Sequence, residues 1–396
     1  MDFVLSDRIA NVKPSAIREI FKMAADPRII AFSAGNPSQE AFPVEEIRRW
    51  TAEILEQDPI LALQYSLSEG YTPLRQRIAQ FLKEKYAVGS ADDDILITTG
   101  AEQALDLVTK VLCNEGDEVL CEAPSFVGAL NTFRSYHCKL VGVEMEEDGI
   151  NVSKLEEALK THPNIKFMYL IPNFQNPSGV TMSLEKRKQV LELSKRYNVP
   201  VVEDNPYGDL RFAGEAVPAI KSMDDSGNVI YVGSFSKVLS PGLRVAYLCT
   251  PKALVPKLTV AKQCTDVHTP ILNQLICYKF LTEFDFDAHI ARCSALYQAK
   301  YQLMADTIRR CFSKNVQVTR PEGGLFLWCT LPEGTDLMDF CKKAIERGVA
   351  VVPGTAFMME ESDVSTSFRL NYSTPSDERI VKGIEILGQL TRELLD

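Results

Sequence analysis

The sequence predicts an α/β protein, built on a mainly parallel sheet with helices on both faces and completed by a smaller α+β unit. Three observations lead there. Through the middle of the chain, short apolar runs of strand length alternate with segments whose apolar residues recur at helical spacing. Polar or glycine-rich residues gather just after each of those runs, where open α/β sheets place their ligands. At 396 residues the chain is longer than one core usually supports, which predicts a second unit.

The elements follow in order. "DILITTG" (94–100) reads as a strand entering a turn, and "AEQALDLVTKVLC" behind it has the apolar spacing of a helix. "DEVLCEAPSF" is a strand into a loop. "IKFMYLIPNFQNPSG" is another, followed by the polar helix "SLEKRKQVLELSKRYN". "VPVVEDNPYGDL" and "NVIYVGSFSK" complete the series. Their exits carry Gly100 to Gln103, Asn173 to Gly179, Asp204 to Tyr207 and Ser234 to Lys237, so four strands are expected to aim polar groups into one crevice. Beyond a boundary expected in the helical stretch around 285–300, the pattern changes. "VTRPEGGLFLWCTLP" reads as a strand with a glycine turn, "DLMDFCKKAIERG" as a helix, and "VAVVPG" and "STSFRLNYS" as strands.

Composition narrows the function. Apolar residues make up 45% and charged residues 24%, with a net charge of -10. That balance predicts a globular protein with no nucleic-acid surface. No apolar run reaches membrane-spanning length, so no membrane association is expected. The start, "MDFVLSDRIANVKPS", lacks a basic stretch followed by an apolar core, and the expected location is the cytoplasm. Ten cysteines are scattered without a C-x-x-C pair, and the four histidines are far apart. Reduced, mostly buried thiols and no metal site are expected.

The stretch "IYVGSFSKVLSPGLRVAYL" (230–248) carries the chemistry. Lys237 follows an apolar strand, and a partly desolvated lysine has a lowered pKa and acts as an amine nucleophile. Its natural electrophile is an aldehyde, giving a Schiff base. Pyridoxal 5'-phosphate offers an aldehyde, a phosphate and a ring nitrogen, each needing a protein partner. For the phosphate, Ser234 and Ser236 offer hydroxyls and Arg244 a guanidinium, while Gly100, Ala101 and Glu102 sit where a helix begins after a strand. For the ring nitrogen, Asp204 at the end of "VPVVED" is the candidate carboxylate. Asn176 of "NPSG" and Tyr207 of "DNPY" suit the phenolic oxygen, and Phe126 of "APSF" suits the ring face.

Together, "LQYSLSEGYTPLRQRI", "ITTGAEQALDLV", "IPNFQNPSG", "VVEDNPYGDLRF", "GSFSKVLSPGLRVAY", "DVHTPILNQ", "TRPEGGLFLW" and "SFRLNYS" span nearly the whole chain. They resemble the fold-type I pyridoxal-phosphate aminotransferases of class I/II, and most of all the group with 2-aminoadipate and kynurenine aminotransferases. The resemblance implies a large cofactor-binding domain at 45–285 with a mainly parallel seven-stranded sheet. It implies a small domain from 1–44 plus 286–396 that includes an N-terminal substrate-covering segment. It implies that Lys237 forms the Schiff base and later serves as general base and acid, that Asp204 pairs with the ring nitrogen, and that Asn176 and Tyr207 hold the phenolate oxygen. Ser234, Ser236, Arg244 and the amides of Ala101 and Glu102 would hold the phosphate. Tyr65 of "LQYS" would be lent to the neighbouring subunit of a homodimer. Arg369 of "FRLNYS" would grip the substrate α-carboxylate, for which a bidentate guanidinium is suited.

The implied reaction is ping-pong transfer of an amino group from an L-amino acid to a 2-oxo acid, with 2-oxoglutarate as expected acceptor. Gly35 and Asn36 of "SAGNPS" are expected to line the substrate pocket. Arg18 of "AIREI" matches an arginine that meets an acidic side-chain terminus. Broad use of 2-aminoadipate, glutamate, aromatic and long aliphatic donors is expected. Two alternatives share these residues: a β-lyase or decarboxylase of the same fold, and the effector-sensing module of a transcription regulator. For the latter, only about 35 residues precede "SAGNPS", too few for a winged helix-turn-helix domain.

Overall fold

The structure, a computed structural model, describes residues 3–10, 26, 28–360 and 362–396. Its centre is an eight-stranded sheet. The strands in chain order are β1 (Asp93–Thr98), β2 (Glu118–Ala123), β3 (Lys139–Glu146), β4 (Gly149–Ile150), β5 (Ile165–Leu170), β6 (Val201–Asp204), β7 (Val229–Ser234) and β8 (Ala246–Pro251). In space they run β1-β8-β7-β6-β5-β2-β3-β4. The pairs β3·β2, β2·β5, β5·β6 and β6·β7 are parallel, while β8 runs antiparallel to both β7 and β1. The expected seven strands are present. The eighth is a two-residue strand hairpinned onto the edge of β3, too short to leave a pattern in the sequence.

After a single helical turn at Asp7–Ala10, the helices are α1 (Val44–Gln57), α2 (Pro59–Leu63), α3 (Thr72–Tyr86), α4 (Ala101–Leu112), α5 (Val127–Ser135) and α6 (Val152–Thr161). They are followed by α7 (Leu184–Tyr197), α8 (Val255–Gln263), α9 (Ile271–Glu283), α10 (Phe286–Cys311), α11 (Leu337–Glu346) and α12 (Asp377–Leu395). Several begin where a polar side chain takes an orphan amide: Asn151 accepts from Lys154 N, Ser183 from Lys186 N, Asp285 from Ala288 N and Ser376 from Arg379 N. Helix α7 ends at Asn198, in the left-handed region at φ 53°.

The central strands are mainly apolar because helices cover both faces, with Glu122, Glu203 and Asp204 as buried exceptions. In β5, Phe167 and Tyr169 join the cluster that also holds Leu105, Val108, Leu130 and Phe133, while Met168 and Leu170 face the cluster with Leu155, Val190 and Leu191.

The C-terminal part forms a four-stranded antiparallel sheet of β9 (Gln317–Val318), β10 (Phe326–Thr330), β11 (Val352–Pro353) and β12 (Ser367–Asn371), in the order β9-β10-β12-β11. The segment "VAVVPG", expected to be one strand, serves two sheets. Val349–Ala350 pairs in parallel with Ile30–Ala31, and after Val351 the chain enters β11. Arg369 lies in β12, opposite Trp328 of β10 and Val352 of β11. Among the described residues no helix is long and apolar enough to cross a membrane. All ten cysteines are free thiols, seven of them buried and Cys264 exposed.

Candidate active site

Because β8 is antiparallel to both neighbours, Ala246 at its start pairs with Ser234 at the end of β7 and with Thr98 at the end of β1. The exits of β1, β2, β5, β6 and β7 therefore share one rim with the entry of β8, and Lys237 and Arg244 meet the other strand exits there. The four exits singled out in the sequence do converge.

Lys237 is partly buried, and its Nζ donates to Gly35 O at 2.8 Å. It lies 5.9 Å from the centre of the Tyr207 ring. No carboxylate within salt-bridge distance neutralises it among the described residues. Burial, with the charges of Arg369 and Arg244, pulls its pKa down to about 8, and only Asp204 opposes this. About a tenth of it is therefore free amine at pH 7, far more than for an ordinary lysine.

Asp204 ends β6 as a fully enclosed carboxyl. Tyr169 OH donates to its Oδ2 at 2.8 Å, while Oδ1 has no partner. Burial raises its pKa to about 7, against the opposing hydrogen bond from Tyr169. An unsatisfied buried carboxylate oxygen is costly, and Oδ1 retains the capacity to accept a hydrogen bond. Tyr207 is also buried, and burial pushes its phenol well above the usual range.

Arg369 is buried at 5% exposure. Its guanidinium stacks 4.2 Å from the Phe326 ring centre and 5.1 Å from that of Phe357. Nη1 donates to Asn176 Oδ1 at 2.8 Å and Nη2 to Ser33 O at 2.9 Å, leaving Nε without a partner. Burial brings its pKa down to about 10, which leaves it charged at neutral pH. Asn176 thus joins Arg369 to the Tyr207 side of the site. Its loop is moored by Gln175, whose Nε2 donates to Pro124 O at 2.7 Å and Glu122 Oε2 at 3.3 Å, and whose Oε1 accepts from Ser178.

At the other end of the rim, Gly100 has φ 83° and precedes α4. A Cβ at this position would run into the Arg244 guanidinium, so glycine is what lets Arg244 lie over the turn. Arg244 is exposed, and its Nη2 reaches Thr99 O at 3.5 Å. Ala101 and Glu102 open α4, where amides lack intrahelical acceptors. Ser234 Oγ accepts from Ser236 N at 3.1 Å. Glu102 accepts from Thr132 Oγ1 at 2.6 Å, and burial raises its pKa. The Phe126 ring lies against Gly128, where a Cβ would come 2.6 Å from its Cζ. The result is a cup of cationic and N–H character beside a buried amine.

Two expected residues stand apart. Tyr65 is 81% exposed and its ring meets His268 edge-on at 5.8 Å. Arg18 lies outside the described residues. Sequence reasoning missed Tyr169, Gln175 and Glu122. Glu122 is fully buried, with its pKa raised to about 8 by burial, and its Oε1 is unpartnered. The available signal was a polar head inside an otherwise apolar strand, in "KFMYL" and "VLCEA".

The sequence profile described as "Aminotransferase class I and II" matches residues 27–387. The chain is 40% identical over 392 residues to an aromatic-amino-acid aminotransferase of Thermococcus litoralis, covering 98% of this chain and 94% of that one. It is 40% identical over 388 residues to a 2-aminoadipate transaminase of Thermus thermophilus, covering 97% and 96%. It superposes with a TM-score of 0.96 and 37% identity on the kynurenine aminotransferase of Pyrococcus horikoshii, solved in complex with PMP, over 99% of this chain and 98% of that one. By sequence and by fold, this chain belongs to the class I and II aminotransferases.

Proposed function

We propose that this aminotransferase moves the amino group of aromatic, long aliphatic and acidic L-amino acids, 2-aminoadipate and glutamate among them, to 2-oxoglutarate. Its cofactor is pyridoxal 5'-phosphate. The carrying observation is a low-pKa lysine set between a buried carboxylate with a free Oδ1 and a buried arginine that has no carboxylate partner among the described residues. The chain's own residues fit the cofactor. Asp204 Oδ1 is open to a protonated ring nitrogen. Asn176 and Tyr207 suit the phenolic oxygen, and Phe126 suits the ring face. The turn at Gly100, with the amides of Ala101 and Glu102, the hydroxyls of Ser234 and Ser236, and Arg244, suits a phosphate dianion.

When bound, pyridoxal phosphate supplies an aldehyde for Schiff-base chemistry and a ring that takes up electron density from the substrate α-carbon. The protein's residues do the rest. Lys237 Nζ acts first as an amine nucleophile. With the cofactor bound and its own amine set free by substrate, Lys237 would take the proton from the substrate α-carbon as general base and deliver it, as general acid, to the carbon that had carried the aldehyde, a role matched by a pKa of about 8. Asp204 keeps a ring proton in place. Arg369 orients the α-carboxylate and so aims the Cα–H bond at Lys237. Two half-reactions on one site give ping-pong kinetics.

The small unit, residues 1–44 plus 286–396, brings Arg369 to the rim of the large unit, 45–285, and contributes Gly35, whose carbonyl meets Lys237 Nζ. Arg18 reads an acidic substrate terminus. The enzyme is a cytoplasmic homodimer. Its partner surface includes Ile60 at 74%, Leu63 at 73% and Leu67 at 56% exposure beside Tyr65, an apolar patch of the sort that association covers. Tyr65 serves the neighbouring subunit's phosphate site.

Borohydride reduction of the yellow protein followed by peptide mapping tests this directly. The label is expected on Lys237, with 2-oxo acid released from the amino donor. A label on another lysine, or pyruvate with ammonia as products, overturns the reading. In Arg18→Ala, unchanged relative rates for acidic and aromatic donors would remove that residue's role.

A further inference from the structure

Behind the Gly100 turn lies a buried polar cluster that the reaction does not use. Lys262, on α8, has a fully buried side chain. Its ammonium donates to Gln103 Oε1 at 2.6 Å, to Asp266 at 2.9 and 3.1 Å, and to Thr269 Oγ1 at 3.1 Å. All three N–H groups are used. Every polar atom of Thr99 is tied to this cluster or to Arg244. Its N donates to the same Gln103 Oε1 at 2.8 Å, and its Oγ1 donates to Asp266 Oδ2 at 2.5 Å and lies 3.0 Å from Thr269 Oγ1. Its O accepts from Arg244 Nη2. The loop that brings Asp266 and Thr269 to the cluster passes through Val267 at φ 65°, a costly conformation for a β-branched residue.

A buried ion pair rarely stabilises a fold more than well-packed apolar groups would. What it does well is fix one arrangement of the groups that must satisfy it. Here the group fixed is Thr99, the residue before Gly100 and two before the first free amide of α4.

We propose that Lys262 is a positioning residue. Held by Asp266, Gln103 and Thr269, its ammonium locks Thr99 and thereby holds the Ala101 and Glu102 amides where the cofactor phosphate binds. This rests on the reading above, in which that turn takes the phosphate. Removing the ammonium leaves the Asp266 carboxylate and the Gln103 carbonyl short of a donor, and the turn loses its single conformation.

The test compares two ligands on the full chain freed of cofactor: pyridoxal 5'-phosphate, and pyridoxal, which has the aldehyde and ring but no phosphate. Both are followed by absorbance titration. In Lys262→Met, affinity for pyridoxal 5'-phosphate is expected to fall roughly 10- to 100-fold, while that for pyridoxal changes by less than about 3-fold. Thr99→Val removes the hydroxyl's contacts with Asp266 and Thr269 while leaving the ion pair and the Thr99 N bond to Gln103, and is expected to show the same selectivity with a smaller loss. It decides the matter if Lys262→Met does not fold. Equal losses for both ligands, or none for pyridoxal 5'-phosphate, overturn the proposal. Wild-type protein that binds neither ligand overturns the underlying reading instead.

Discussion

Replacing the reactive lysine should make the cofactor-free protein more stable. A lysine amine that titrates near 10.5 in the unfolded chain titrates at about 8 in this fold. Each pKa unit corresponds to about 1.4 kcal/mol, so enclosing the ammonium costs the folded state about 3 kcal/mol. The sign follows from a folded pKa below the unfolded one. The penalty is complete below pH 8, declines between 8 and 10.5, and vanishes above 10.5, where both states hold the neutral amine. Lys237→Met removes the penalty but also the hydrogen bond to Gly35 O, worth about 1 kcal/mol. Cofactor-free Lys237→Met should therefore exceed wild type by about 2 kcal/mol at pH 6.5 and come near parity at pH 9.5. Urea midpoints of the two proteins at both pH values measure this. A variant less stable than wild type at pH 6.5, or an advantage that does not shrink with rising pH, refutes the account of Lys237 as a desolvated amine.

Other consequences are equally direct. Gly100→Ala forces a Cβ into the Arg244 guanidinium at φ 83°; cofactor retained through gel filtration should drop, with affinity down roughly 10-fold or more. Tyr169→Phe takes the donor from Asp204 Oδ2, which raises a carboxyl pKa already at about 7. The acid limb of the kcat/KM profile should move upward, with a rate loss of roughly 10-fold, and an unmoved limb would show that Tyr169 does not tune Asp204. Leu63→Asp places a charge in the exposed apolar patch, and light scattering should report monomer where wild type is dimer; a dimer that survives unchanged would locate the interface elsewhere.

The sequence was most informative where function is written locally. Asp204 and Ser234 close a strand, and Lys237 and Asn176 follow one within a few residues, so an apolar run and the polar group at its end announced the position. The parallel sheet was legible for the same reason, since strands buried on both faces are nearly continuous apolar runs. What stayed hidden depends on distant pairs. Tyr169 meets Asp204 across 35 residues and Lys262 meets Gln103 across 159, and neither spacing has a local signature. The split of "VAVVPG" between two sheets was invisible because Val351 differs in no pattern from its neighbours. The edge strand at Gly149–Ile150 was hidden by its brevity.

The reversed direction of β8 has a practical corollary. It sets Arg244 beside the exits of the other strands, and among the described residues the opposite border of the sheet carries none of the site residues. The exposed turns before β2 and β5, at 114–117 and 162–164, lie there. Reporter peptides, affinity handles or whole fused modules could be spliced into those turns, leaving an engineer with an intact catalyst carrying cargo on its far side.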